Sequence, residues 1–117
     1  MATVNHTIDA AGKKLGRIAS DAASALMGKR SPEFARNIVA PVKVEVVNAK
    51  RLVISEKKRL TKTYLKHTGY PGSQRRDPMA LIIDKKGIGE VVRKAVYKML
   101  PPNRLRSKMM ANLKVTE

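Results

Sequence analysis

Residues Leu15–Met27 read "LGRIASDAASALM". Apolar side chains fall at Leu15, Ile18, Ala19, Ala22, Ala23 and Leu26, the spacing of one helical face. Much of that face is alanine, which lets a helix lie close to a flat surface such as a sheet. Gly28 stands where a left-handed residue commonly ends a helix. Upstream, "VNHTIDA" (Val4–Ala10) reads as a short strand closed by the turn-prone Ala11-Gly12. Downstream, "VKVEVVN" (Val42–Asn48) alternates Val42, Val44 and Val46 with Lys43 and Glu45, a strand signal. A strand, a helix and a strand in succession, with further helices later, predict an α/β domain.

The remaining chain extends that pattern. "RLVIS" (Arg51–Ser55) is a second, shorter candidate strand. From Lys57 to His67 two patterns compete: Leu60 and Tyr64 fit a helix, whereas Thr61, Thr63 and Leu65 fit an extended segment. "MALIID" (Met79–Asp84) passes equally as strand or buried helix. "IGEVVRKAVYKML" carries a stripe at Ile88, Val91, Val92, Ala95, Val96 and Met99, and Pro101-Pro102 stop that helix. A short helix is expected from Asn103, and "LKVT" (Leu113–Thr116) as a closing edge strand. No repeat, linker or low-complexity tract divides the chain, so residues 1–117 are expected to form a single domain.

Composition narrows the function. Hydrophobic residues make up 43% of the chain but aromatic ones only 3%, so the core must be aliphatic. The absence of Cys excludes disulfides, thiolate metal sites and cysteine nucleophiles, and suits a reducing cytosol. The opening "MATVNHTIDA" has no basic flank followed by an apolar run, so no signal peptide is expected. No apolar stretch approaches the ~20 residues of a membrane span. Charge is the dominant signal: 25 Lys and Arg oppose 9 Asp and Glu, a net of +16. Such a chain repels itself unless a polyanion relieves it, and nucleic acid is the usual polyanion. The charge is concentrated, with nine basic residues against Glu56 alone from Lys50 to Arg76, and seven against Glu117 from residue 91 onward.

Catalytic and cofactor motifs fail on inspection. "AGKKLGR" sits where a phosphate loop would, but lacks the Walker spacing. "KKGIGEVV" has Val92 where a dinucleotide fingerprint needs its third glycine. His6 and His67 are the only histidines, and no pair of His or carboxylates has metal-ligand spacing. Each histidine is expected to be a hydrogen-bonded structural residue. The few, scattered acids offer no acid/base pair. No enzyme, cofactor, metal or small-molecule substrate is therefore expected.

"HTGYPGSQRR" (His67–Arg76) concentrates the binding signal. Tyr70-Pro71-Gly72-Ser73 fits a type II turn, with proline fixing the second position and glycine supplying positive φ at the third. Gly69 is a further point of close backbone approach. Tyr70 suits stacking on a base, and His67, Thr68 and Ser73 suit bonds to phosphate or ribose. Arg75 and Arg76 leave the turn as multi-donor forks. The candidate RNA contacts begin with Lys13, Lys14 and Arg17 at the first helix and with Lys50. They continue through Lys57, Lys58, Arg59, Lys62 and Lys66 into the turn itself. Lys98, Arg104, Arg106 and Lys108 complete the set near the C-terminal end.

"TIDAAGKKLGRIAS", "VVNAKRLVIS", "KTYLKHTGYPG" and "AVYKMLPPNRLRSKM" occur in the order and spacing of a known family. The chain resembles ribosomal protein thirteen of the bacterial large subunit from about Thr7 to Val115. The resemblance implies a three-layer α/β/α domain around a four-stranded, mostly parallel sheet, with a short helix near Ala80–Lys85. It implies a cytoplasmic structural constituent of the ribosome that binds 23S ribosomal RNA early in assembly. Neighbouring large-subunit proteins are then partners, with no membrane and no obligate homo-oligomer. A free-standing RNA-binding regulator on the same fold is the alternative. The chain departs from the family at Asn5 or His6, where Trp is usual, at Ala40-Pro41, at Ser55–Lys58, and at Lys98. Family proteins commonly continue past the last strand in a His- and Gln-containing tail, and this chain stops at Glu117.

Overall fold

The computed structural model describes residues 4–29, 32 and 39–117. Strand β2 (Val42–Val47) is the centre of the main sheet, flanked by β1 (Val4–Asp9) and β5 (Leu113–Val115). Both pairings are parallel, with Val44 opposite His6 and Leu113, and Val46 opposite Ile8 and Val115. Alternation places Val44, Val46, Ile8 and Leu113 on one buried face. Thr7, Lys43 and Lys114 lie on the other and are exposed.

Helix α1 (Leu15–Met27) covers the buried face, its alanine-rich stripe fully packed at Ala19, Ala22, Ala23 and Ala25. Gly28 ends it with φ 80° and its amide bonded to the Ala25 carbonyl, while the Lys29 amide reaches Ser24. These two bonds close the last turn as a Schellman motif, which is why a residue without Cβ stands there. Helix α4 (Ile88–Met99) packs on α1 and buries Ile88, Val91, Val92 and Val96, and it ends just before Pro101-Pro102 as expected. Short α5 (Arg106–Ala111) contributes buried Met109 and leads into β5. These helices and the sheet share one hydrophobic core, so the chain is a mixed α/β domain.

Three features of the expected architecture are corrected. The main sheet has three strands, not four. The segment read as a strand at Arg51–Ser55 begins instead as a 3₁₀ turn, Ala49–Arg51, entered through left-handed Asn48 at φ 58°. Beyond it only Val53 bridges to Lys14, because Lys14 is already the cap of α1 and its chain turns away. The third layer is also not built by the described helices. Helices α1, α4 and α5 pack against one another, so they share the apolar face of the sheet.

The segment that fitted both patterns uses both. Helix α2 (Glu56–Thr61) is capped by the Ser55 hydroxyl accepting from the Lys58 amide at 3.2 Å. Strand β3 (Thr63–Lys66) follows, paired antiparallel with β4 (Arg75–Pro78). The hairpin forms a separate two-stranded sheet whose base is fastened by the Met79 amide on the Lys62 carbonyl, 2.9 Å. Met79 opens α3 (Met79–Lys86) and is fully buried, so "MALIID" is helical, as the resemblance implied.

Candidate nucleic-acid interface

Three grooves run in series across one side of the domain. The first, about 860 Å³, lies between the start of α1 and the approach to α2, and Lys14, Gly16, Arg17, Ser55 and Lys58 line it. Gly16 and Lys58 also line the second, about 190 Å³, together with Lys62, Tyr64, Lys94 and Lys98. Tyr64, Lys94 and Lys98 pass on to the third, about 870 Å³, where Leu65, Arg93, Tyr97 and Met110 join them. Shared walls make these one continuous track carrying seven cations, Lys14, Arg17, Lys58, Lys62, Arg93, Lys94 and Lys98, against two carboxylates, Asp21 and Glu90.

The track is electrostatically unbalanced. Among the described residues the one ion pair is Lys50 with Glu117, at 3.6 Å. Helix α1 has no acidic residue in its first turn and no side-chain cap. Placing Lys14 and Arg17 at that end opposes the helix dipole, by about 0.3–1 kcal/mol per charge at most. An anion there would relieve both.

At the hairpin, the strand register sets Lys66 directly opposite Arg75, and both are exposed. Like charges facing each other across a ladder destabilise it. The tip conforms to the expected turn: Gly72 has φ 75°, and the Ser73 amide bonds back to the Tyr70 carbonyl at 3.2 Å. Gly69 has φ 93°, and its amide donates to His67 Nδ1 at 3.0 Å, so His67 is hydrogen-bonded as predicted. Thr68, Tyr70 and Gly72 are exposed, and Arg75 and Arg76 stand in β4 rather than in the loop.

The other expected residues divide. Lys13 and Lys57 are exposed beside the track, while Arg59 is half-buried with its Nε shielded and unpartnered among the described residues. Arg106 stacks its guanidinium 4.2 Å from the Tyr97 ring, at the rim of the third groove. Lys50 is held by Glu117, and Arg104 and Lys108 are exposed but line none of the three grooves. Lys94, Arg93 and the aromatic pair Tyr64 and Tyr97 escaped the sequence analysis. The available signal was Lys94 and Lys98 at helical i,i+4 spacing on the polar side of the α4 stripe.

The chain matches the family described as Ribosomal protein L13 over residues 3–117. It belongs to that family. It is 39% identical over 112 residues to the large ribosomal subunit protein uL13 of Dehalococcoides mccartyi strain CBDB1, covering 96% of this chain and 78% of that protein. Against the uL13 of Clostridioides difficile strain 630 the identity is 44% over 110 residues, 94% of this chain and 76% of the relative. The uL13 of Chloroflexus aurantiacus strain J-10-fl is 37% identical over the same length. The family is a structural component of the ribosome and not an enzyme, in agreement with the missing catalytic motifs. No helix among the described residues is long and apolar enough to cross a membrane.

Proposed function

We propose that this chain is a structural constituent of the bacterial large ribosomal subunit that binds 23S ribosomal RNA directly through the basic track and the hairpin, supporting early subunit assembly. The carrying observation is the series of seven cations, Lys14 to Lys98, along connected grooves with no carboxylate paired to any of them among the described residues. A folded domain holds such an array only at the expense of self-repulsion, which RNA phosphates neutralise. The hairpin adds backbone amides, Tyr70 and two arginines that suit sugar, base and phosphate in turn. Neighbouring large-subunit proteins are the second class of partner.

The test is the salt dependence of affinity for a 23S rRNA fragment. If all seven track cations meet phosphates, log affinity falls with log salt at a slope of about −5 to −6. Lys57→Ala with Lys58→Ala reduces that slope by roughly 1–2, without loss of fold, since both are exposed and α2 contains no buried residue. A nearly flat salt dependence in the wild type refutes the electrostatic contact. In cells, the chain is recovered in stoichiometric amount with large subunits after a high-salt wash; recovery only in the free pool favours a separate regulator.

A further inference from the structure

One cluster within the track differs from a general basic surface. The Nζ atoms of Lys62, Lys94 and Lys98 lie 5.9, 5.4 and 5.6 Å from the centroid of the same Tyr64 ring. No two of the three can be farther apart than the sum of two such distances, roughly 12 Å and well inside the Debye length of about 30 Å at 0.01 M, so their mutual repulsion acts at low salt. Lys94 and Lys98 stand one turn apart on α4, whereas Lys62 arrives from the junction of α2 and β3. The three are therefore brought together by tertiary packing.

None of the three forms an ion pair among the described residues, although Asp77 stands opposite Tyr64 in the hairpin register. Glu90, one turn before Lys94, lines the third groove but forms no ion pair. Burial pushes the Tyr64 phenol up, so the ring is neutral and cannot serve as counter-ion. A ring face attracts a cation, but one ring has two faces for three ammonium groups. Tyr64 is half-buried and packed on the core, so the ring, and the groove of about 190 Å³ it walls, are fixed before any ligand arrives.

We propose that Lys62, Lys94 and Lys98, arrayed around Tyr64, form a preformed phosphate-binding site, and that RNA backbone occupies it. The RNA assignment rests on the function proposed above; the site itself rests on this cluster. Three ammonium groups supply donors to one phosphate from separate directions, and the neutral ring sets a dry wall behind it. Such a site carries a signature that a merely solvated surface lacks. Its cations destabilise the free protein and stabilise the phosphate complex.

The experiment uses the full chain at low salt, with inorganic tripolyphosphate as the probe and thermal melting as the readout. The site variant is Lys94→Met with Lys98→Met, which keeps the aliphatic stems. The control is Lys85→Met with Lys86→Met, which removes the same charge from exposed positions at the end of α3. The site variant is expected to melt above wild type without ligand and to bind tripolyphosphate about tenfold more weakly or worse, the loss of one or more charge-assisted bonds. The control is expected to bind as wild type does. Equal weakening in both variants, or none in the site variant, overturns the site. Tyr64 ring resonances then report occupancy directly. Displacement of tripolyphosphate from them by the 23S fragment supports RNA as the natural source. Binding of both at once overturns the RNA assignment and leaves a free polyphosphate as the ligand.

Discussion

Gly72 at the tip of the hairpin separates a structural turn from a binding turn. Its φ of 75° is one that L side chains rarely adopt, yet a Cβ built there meets nothing within 4 Å. The consequence of Gly72→Val is therefore conformational. Holding an L-residue in the left-handed region costs about 1–2 kcal/mol, and a β-branched one sits at the upper end. An unfolding entropy of about 2.1 cal/mol/K per residue makes each kcal/mol worth roughly 4 °C in a chain of 117 residues. Full transmission of the strain would lower Tm by about 4–8 °C.

Transmission should be incomplete in the free protein. Residues 70–72 are exposed, the tip touches no core residue, and the β3–β4 ladder below it is fastened independently at Met79. The loop can relax to a turn with ordinary φ, so the expected fall in Tm is under about 4 °C. RNA removes that freedom if the tip docks in its present shape. The strain then appears in binding, where 1.4 kcal/mol is a factor of ten, and the isopropyl bulk adds to it. Gly72→Val should weaken binding to the 23S fragment about tenfold or more. Gly72→Asn should bind nearly as wild type, because asparagine tolerates positive φ. Melting and affinity measured on both variants decide the matter. A folded Gly72→Val that binds at wild-type strength refutes docking of the tip, and a fall in Tm well beyond 8 °C would show the turn to be structural.

Other variants probe the scaffold and the contact separately. Val44→Asp and Val96→Asp each place a carboxylate at a position no more than 1% exposed, and should unfold the domain in a denaturant titration. Gly28→Ala combines positive φ with a Cβ 2.7 Å from that of Ala40. It should cost about 2–3 kcal/mol, against roughly 1 for Gly12→Ala, whose φ is similar but whose surroundings are open. Tyr70→Ala, at a side chain 75% exposed, should leave a binding deficit of about 1–3 kcal/mol that salt does not alter if a base stacks there. The loss from Arg75→Ala with Arg76→Ala should shrink as salt rises. Asp9 accepts from the Ala11 amide at 3.0 Å and from Asn48 Nδ2 at 3.1 Å, and these bonds hold its carboxyl below the usual range. A lowered folded-state pKa adds stability above the unfolded value and loses it as pH falls through the folded one. Asp9→Ala should thus be less stable than wild type at neutral pH and converge with it in strong acid.

How far the sequence could be read depended on whether the deciding contacts were local. The stripes of α1 and α4, the alternation of β2, and the Gly28 and Pro101 stops are written within single segments, and each stands where periodicity placed it. The same holds for the Pro71-Gly72 turn. Arg51–Ser55 has equally good strand residues, but a strand needs a partner, and the chain opposite becomes a helix at Leu15. Thr63–Lys66 has the converse history: a weak local pattern became a strand because Arg75–Pro78 lies alongside it. The site follows the second rule. Charge density marked the basic segments, yet it could not indicate that Lys62 and Lys94 meet over one ring, since only hairpin docking brings Tyr64 to α4. Tyr64 looked like one more apolar residue in an ambiguous run because its partners lie on another element. The hydrophobic contact that seats the hairpin and the electrostatic array proposed to grip phosphate therefore share one side chain. It follows that a change at Tyr64 cannot be interpreted as loss of charge recognition alone, whereas changes at Lys94 and Lys98, which leave the ring in place, can.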